Sequence, residues 1–183
     1  MLTFICGGVR SGKSSVGENI AETKQPHNSR LIYLATSTRT DEEMNRRIQH
    51  HQTEREDRKA NWVTIEQSRD LRDISNTLAH QDIVFLDCLT TWLSNEMFGH
   101  PFGDVSSFAV KQYMKDAIVE IEAACACVIV ISNDVFHEPV PEHSGTFEYV
   151  KTLGELHQYF VRKAETVIEM EAGEPLLRKG ERF

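Results

Sequence analysis

The sequence lacks the features that would place it in a membrane or outside the cell. No run of 18 apolar residues occurs, so no transmembrane helix is expected. No charged segment precedes the first apolar stretch, so we expect no signal peptide and predict a cytoplasmic protein. No C-x-x-C pair is present, and we expect reduced, mostly buried cysteines at Cys6, Cys88, Cys125 and Cys127.

Basic residues are also scarce. The chain of 183 residues has 20 Lys and Arg against 28 Asp and Glu, a formal net charge of −8. Nucleic-acid binding needs a broad, clustered basic surface, so we expect no nucleic-acid partner. A small anionic ligand held in one local pocket remains compatible with this charge.

The chain has no internal repeat, low-complexity tract or linker rich in Pro, Gly or Ser, so we predict a single domain over residues 1–183. Short apolar runs alternate with longer amphipathic segments. This pattern indicates an α/β fold with a mostly parallel central sheet flanked by helices. The predicted strands are 2–6, 31–35, 62–65, 83–86, 128–131 and 167–170, and the predicted helices are 13–24, 41–59, 69–79, 89–98, 105–124 and 147–163.

The strongest motif follows the first predicted strand and matches G-x-x-x-x-G-K-[ST] without a mismatch. Glycines let backbone amides point inward at phosphate, the lysine supplies a cation, and the final hydroxyl can bind Mg²⁺. The following helix would place its amino terminus under the phosphates, which favours a nucleotide site over a glycine-rich turn. The candidate nucleotide-binding residues are Gly7, Gly8, Val9, Arg10, Ser11, Gly12, Lys13 and Ser14.

A carboxylate follows the apolar run 83–86. Asp87 is placed to support Mg²⁺ at the end of a strand near the P-loop, as phosphoryl-transfer enzymes require. An alternative is that Asp87 only caps the helix that begins near Cys88, and the two roles can coexist. With Ser14 it forms the candidate Mg²⁺ site, one or both residues binding through water.

A basic stripe is predicted on the helix 41–59, whose start is marked by a capping box at Thr40 and Glu43. Arg46, Arg47 and His50 share one face of that helix. One interpretation is a solvated basic face. The other is catalytic: a neutral imidazole can attack phosphorus, and neighbouring arginines would stabilise the departing phosphates, which makes His50 a candidate nucleophile.

Taken in order, these motifs resemble the bifunctional adenosylcobinamide kinase / adenosylcobinamide-phosphate guanylyltransferase family, closely over residues 1–98. The matching segments are 7–14, Tyr33-Leu34-Ala35-Thr36-Ser37, Asp41-Glu42-Glu43-Met44, Arg47-Ile48-Gln49-His50-His51 and Leu86-Asp87-Cys88-Leu89-Thr90-Thr91-Trp92-Leu93-Ser94-Asn95.

The resemblance implies a RecA-like P-loop fold, a homotrimer and two reactions. The first phosphorylates adenosylcobinamide with ATP or GTP. The second transfers GMP from GTP to adenosylcobinamide phosphate through a covalent GMP-histidine, releasing pyrophosphate. The family's GMP-carrying histidine corresponds to His50, and Lys13 is the matching catalytic lysine of the P-loop. Further residues implied near the nucleotide are Ala35, Thr36, Ser37, His51 and Glu66.

The last third departs from the family pattern. Residues 133–141 lack two glycines that the family shows, and His157 stands where the family tends to have asparagine. The motifs therefore do not assign the corrinoid contacts. Two alternatives stay open: a P-loop small-molecule kinase without guanylyltransferase activity, and a non-catalytic nucleotide-responsive module.

Overall fold

A single seven-stranded sheet forms the centre of the protein. The structure, a computed structural model, describes residues 1–37, 60–99, 105–137, 139 and 143–181. The strands are β1 (Leu2–Gly7), β2 (Leu31–Ala35), β3 (Trp62–Glu66), β4 (Ile83–Asp87), β5 (Cys127–Asn133), β6 (Thr166–Glu171) and β7 (Glu174–Lys179). The α-helices are α1 (Lys13–Lys24), α2 (Leu89–Phe98), α3 (Ser107–Ala124) and α4 (Ser144–Lys163), and a 3-10 helix spans Leu71–Thr77.

The strand order is β3-β2-β4-β5-β1-β6-β7. Every neighbouring pair is parallel except β6 and β7, which are antiparallel. In a parallel sheet all carboxyl ends meet at one edge, so the ends of β1, β4 and β5 lie side by side. This carboxyl edge carries those predicted site residues that lie within the described ranges.

Both faces of the sheet are buried because successive side chains of a strand point to opposite sides. Leu2 and Phe4 of β1 join one core, which is covered by α2, α3, α4 and the 3-10 helix. Ile5 joins the other core together with Ile20 and Ala21 of α1. These strands consequently read as continuous apolar runs in the sequence.

The prediction of an α/β fold with a mostly parallel sheet is confirmed, and each of the six predicted strands is present. The predicted helix 69–79 is wrong in type, because a 3-10 helix occupies Leu71–Thr77. Strand β7 has no counterpart among the predicted strands; it follows a tight turn at Ala172 and Gly173, both with positive φ. The predicted helix 41–59 lies outside the described residues.

The four cysteines are free thiols, as predicted. Trp92 is fully buried, and Trp62 packs against the core that contains α1, so both tryptophans serve packing. Among the residues that the structure describes, no helix is long and apolar enough to cross a membrane.

Candidate active site

The glycine-rich loop joins the end of β1 to the start of α1, as the motif predicts. Gly12 has a φ of 85°, a left-handed conformation that glycine adopts without steric cost. A Cβ placed on Gly7 would lie 2.7 Å from Cβ of Met170 and 2.9 Å from its carbonyl oxygen. The first motif glycine is therefore needed because the loop passes directly against β6.

The loop surrounds a cleft of about 520 Å³, lined by Val9, Arg10, Ser11, Gly12, Lys13, Ser14 and Ser15. Helix α1 begins at Lys13, which turns its amino terminus toward the cleft, the arrangement that favours phosphate. The hydroxyl oxygen of Ser11 is buried and has no hydrogen-bond partner among the described residues. The cleft thus offers amides and hydroxyls to an anion.

Lys13 is buried within this loop, and its Nζ donates a hydrogen bond to the carbonyl oxygen of Gly8 at 3.0 Å. Burial lowers the pKa of Lys13, while the neighbouring Cys88, Asp87 and Cys6 oppose the shift. The bond to Gly8 places the Lys13 ammonium group beside the residue that follows β1, at the carboxyl edge of the sheet. A bound phosphate would provide the negative charge that a buried ammonium group requires.

Asp87 is the last residue of β4, at the same edge of the sheet. Its Oδ2 accepts a hydrogen bond from the Tyr33 hydroxyl at 2.7 Å. The N-cap residue of α2 is Cys88, whose side chain makes no capping hydrogen bond. Asp87 is therefore oriented by Tyr33 rather than placed at the helix N-cap, and the helix-capping alternative is not supported.

Thr36 connects the ends of β2 and β4. Its fully buried hydroxyl accepts a hydrogen bond from the Cys88 amide at 2.8 Å and shares its single proton between the carbonyl oxygens of Asp87 and Cys88, each at 3.0 Å. Asn95 of α2 donates to the Thr36 carbonyl at 2.8 Å. Thr36 thus holds the backbone that carries Asp87.

The remaining predicted nucleotide contacts lie on the same edge. Ala35 is the buried last residue of β2, and Ser37, two residues further along the chain, is half-buried. Glu66 is exposed at the end of β3 and pairs in register with Ala35. The structure thus brings Ala35, Thr36 and Ser37 to the carboxyl edge, with Glu66 one strand further from the P-loop. His50 and His51 lie outside the described residues.

The end of β5 lies between the P-loop strand and the Asp87 strand. Asn133 pairs in register with Gly7, and its Nδ2 donates to Oγ1 of Thr90 at 3.0 Å. The Asp134 amide donates to the Gly7 carbonyl at 2.9 Å. These bonds join the segment after β5 to the first residue of the P-loop, a connection that the sequence does not predict.

Two residues of the last third at which the sequence departs from the family pattern, Phe136 and His157, contact each other. The ring of Phe136 lies edge-on to the ring of His157, with 5.1 Å between centroids, and Phe4 packs against His157 in the same way. Nε2 of His157 forms a 2.7 Å hydrogen bond with the Ser132 hydroxyl. Burial lowers the pKa of His157 to about 4, opposed weakly by Asp134. His157 is therefore a neutral packing residue behind the site.

A family model described as cobinamide kinase / cobinamide phosphate guanyltransferase matches residues 3–177. The chain belongs to this family. The match covers both the P-loop half and the divergent last third, so the predicted family resemblance is confirmed.

Curated relatives agree with the family. The chain is 33% identical over 177 residues to the bifunctional adenosylcobalamin biosynthesis protein CobU of Salmonella typhimurium, covering 91% of this chain and 93% of the relative. It is 31% identical to CobU of Escherichia coli, with the same coverages, and 31% identical to CobP of Pseudomonas aeruginosa, with 99% of each chain covered. The chain is thus an enzyme of the cobinamide kinase / guanyltransferase family.

Solved structures support the fold alone, because their sequence identities are low. The flagellar accessory protein FlaH from Methanocaldococcus jannaschii matches with a TM-score of 0.52 and 15% identity, covering 98% of this chain and 78% of FlaH. A second solved structure, an ATPase domain, matches with a TM-score of 0.56 and 12% identity, covering 98% of this chain and 76% of that domain. The predicted RecA-like P-loop fold is confirmed for this member of the cobinamide kinase family.

Proposed function

We propose that this chain catalyses two successive reactions on adenosylcobinamide: phosphorylation by ATP or GTP, then transfer of GMP from GTP to the new phosphate. The observation that carries the proposal is the buried Lys13 in a P-loop cleft of about 520 Å³, with Asp87 at the end of β4 on the same edge of the sheet. This arrangement supplies fixed positive charge to a triphosphate and a carboxylate beside it.

In the kinase step, the hydroxyl oxygen of adenosylcobinamide attacks the γ-phosphorus and loses its proton to solvent, while the bond from the γ-phosphorus to the bridging β-phosphate oxygen breaks and ADP or GDP leaves. Catalysis of phosphoryl transfer depends mainly on positioning and on charge stabilisation. The amides of the P-loop orient the triphosphate, and the Lys13 ammonium offsets the negative charge that grows on the departing phosphates.

The residues present fit a magnesium ion. Mg²⁺ prefers oxygen ligands and is usually held by one or two protein groups, with phosphate oxygens and water completing its shell. Ser14 lines the cleft, and Asp87 is fixed by the Tyr33 hydroxyl, so these two oxygen donors would hold the ion and it would supply positive charge beside the β- and γ-phosphates. No group of three or more His, Cys, Asp or Glu side chains meets within the described ranges, which is compatible with so few ligands.

In the second step, we assign the nucleophile to His50. A neutral imidazole nitrogen attacks the α-phosphorus of GTP, forming an N–P bond while pyrophosphate leaves. The phosphate of adenosylcobinamide phosphate then attacks the same phosphorus and releases the imidazole. Support comes from the family match and from the sequence, in which Arg46 and Arg47 are placed on the same helical face as His50.

Further features of the proposal rest on the family resemblance. Ala35, Thr36, Ser37, His51 and Glu66 are proposed to lie near the guanine nucleotide. The protein is proposed to be a cytoplasmic homotrimer, which sedimentation at several protein concentrations would test.

The test of the nucleophile uses GTP carrying the label either at the α- or at the γ-phosphate. Without corrinoid, the α-label is expected to become attached to the protein through an acid-labile, base-stable bond, and the γ-label is not. His50→Ala should abolish the adduct while retaining phosphorylation of adenosylcobinamide; His51→Ala is the neighbouring control. An undiminished adduct in His50→Ala would refute the assignment, and phosphorylation with no adduct in the natural protein would favour a kinase without guanylyltransferase activity.

A further inference from the structure

The exposed aromatic side chains of this protein are unevenly distributed. Within the described parts of the chain, every exposed aromatic residue is a phenylalanine between positions 98 and 147. The exposed fractions are 54% for Phe98, 69% for Phe108, 41% for Phe136 and 44% for Phe147. The other described phenylalanines are fully buried in the cores. Exposed apolar clusters usually mark a binding surface.

One of these rings, that of Phe98, lines a second cavity. It has a volume of about 230 Å³ and lies where the end of α2 meets the first turns of α3 and α4. Its lining comprises Met97, Phe98, Val105, Ser107, Ser144, Gly145 and Glu148. Phe108 and Phe147 are exposed and are the sequence neighbours of the lining residues Ser107 and Glu148, in the first turns of α3 and α4. Together with Phe98, these two residues are here called the phenylalanine rim.

The phenylalanine rim lies on the carboxyl edge of the sheet, as the P-loop does. Asn95 of α2 donates hydrogen bonds to the carbonyls of Thr36 and Ser68, which follow the ends of β2 and β3. Helix α2 therefore crosses this edge before it reaches Phe98. The hydroxyl of Tyr149 donates to the Thr90 carbonyl at 3.0 Å, which holds the start of α4 on the same edge.

The cavity is also connected to the nucleotide site through named contacts. The ring of Phe98 packs against Tyr149 with 6.2 Å between centroids. Tyr149 bonds to Thr90, and Thr90 accepts a hydrogen bond from Asn133, the register partner of Gly7. Three residues, Tyr149, Thr90 and Asn133, therefore link Phe98 to the first residue of the P-loop.

Cobinamide requires such a surface. Its reacting hydroxyl lies on a short arm, while most of the molecule is a broad, largely apolar corrin ring with carboxamide side chains. A ligand of this size cannot enter the P-loop cleft, so the ring must rest on an apolar surface beside it while the arm reaches the phosphate.

We infer that the phenylalanine rim is the corrinoid-binding surface, with Phe98, Phe108 and Phe147 contacting the corrin ring and the cavity accepting its edge or one amide side chain. This inference rests on the proposed function and identifies where that function binds its large substrate.

The polar lining fits the same ligand. The Glu148 carboxylate accepts a hydrogen bond from Ser107 at 3.4 Å and lies 3.6 Å from the Lys151 ammonium. A carboxylate and hydroxyls at the cavity can bond to the carboxamides of the corrin periphery. The cobalt(III) corrin of adenosylcobinamide carries positive charge, which complements Glu148 and the chain's net charge of −8.

Steady-state kinetics with adenosylcobinamide test the inference. The variants are Phe98→Ala, Phe108→Ala, Phe147→Ala and Glu148→Lys, and the control is Val119→Ala, an exposed aliphatic residue on α3. We expect the KM for adenosylcobinamide to rise about tenfold in at least two phenylalanine variants and in Glu148→Lys, with kcat and the KM for ATP almost unchanged. Because Phe108 and Glu148 are accessible, their variants remain informative if truncation of Phe98 disturbs α4.

Two results would overturn the inference. The first is a corrinoid KM equal to that of the natural protein in all four variants. The second is a corrinoid KM that rises only in those variants whose oligomer dissociates in sedimentation. That result would show that the phenylalanine rim contacts a second copy of the chain and does not contact the corrinoid. Labelling by α-labelled GTP without corrinoid separates this inference from the proposed function: the rim variants should form the adduct normally, whereas a wrong nucleophile assignment would appear as an unchanged adduct in His50→Ala.

Discussion

Adding one methyl group at Gly7 tests how the P-loop is supported. In Gly7→Ala, the new Cβ would lie 2.7 Å from Cβ of Met170 and 2.9 Å from the Met170 carbonyl oxygen. The carbonyl belongs to strand β6 and cannot rotate away, so β1 or β6 must shift. Overpacking of this kind costs about 1–3 kcal/mol of the free energy of unfolding. For a chain of this size, that corresponds to a melting temperature lower by about 2–12 °C.

Gly8 provides a matched control within the same loop. A Cβ on Gly8 would meet no heavy atom within 4 Å, so Gly8→Ala should change the free energy of unfolding by less than about 0.5 kcal/mol. Differential scanning calorimetry of both variants, followed by titration with GTP, measures stability and nucleotide binding separately. Equal melting temperatures for the two variants, or a larger loss in Gly8→Ala, would refute the steric argument.

Three further substitutions probe the residues behind the site. Tyr33→Phe removes the hydrogen bond to Asp87. The Mg²⁺ concentration for half-maximal kinase activity should therefore rise about fivefold, with little change in the free energy of unfolding. An unchanged Mg²⁺ dependence would contradict the role given to Tyr33. Thr36→Val leaves a buried amide unpaired and should cost about 1–3 kcal/mol in urea unfolding, whereas a neutral effect would exclude the bonding described. The pKa of His157 is lowered from 6.5 to about 4, so the unfolded chain binds more protons between those values and stability should fall as the pH drops from 6.5 toward 4. His157→Gln, which can still bond to Ser132, should lose stability less steeply over that range, and an identical pH profile would show that His157 does not contribute.

The sequence predicts the P-loop well because its determinants are local. Gly12, Lys13 and Ser14 fix a turn and a helix start within a few residues, and the short apolar run before them forms β1. The placement of Asp87 also follows, because the carboxyl ends of parallel strands meet at one edge.

Contacts between distant residues could not be predicted in this way. The hydroxyl of Tyr33 reaches Asp87 across 54 positions of the chain, and Thr36 bonds to Cys88 across 52. The family resemblance implies that Thr36 lies near the nucleotide, but it does not predict that the Thr36 hydroxyl bonds to the backbone at the end of β4. No periodicity in the sequence encodes which buried hydroxyl meets which strand end.

The divergent last third illustrates the same point. Phe136 and His157 each look like an isolated departure from the family pattern in the sequence, and only the fold shows that their rings pack together. The sequence does contain an indirect signal. Phe136 places a large ring where the family has glycine, and such a ring must pack against another side chain, which His157 provides.

The most direct test of the central claim is the product formed from adenosylcobinamide with ATP and GTP. The natural protein should convert it first to adenosylcobinamide phosphate and then to the GDP-linked corrinoid, separable by chromatography. His50→Ala should stop at the phosphorylated product, and Lys13→Ala should yield neither from adenosylcobinamide. GDP-linked corrinoid formed by His50→Ala at the natural rate would contradict the claim that one chain performs the second reaction through this histidine.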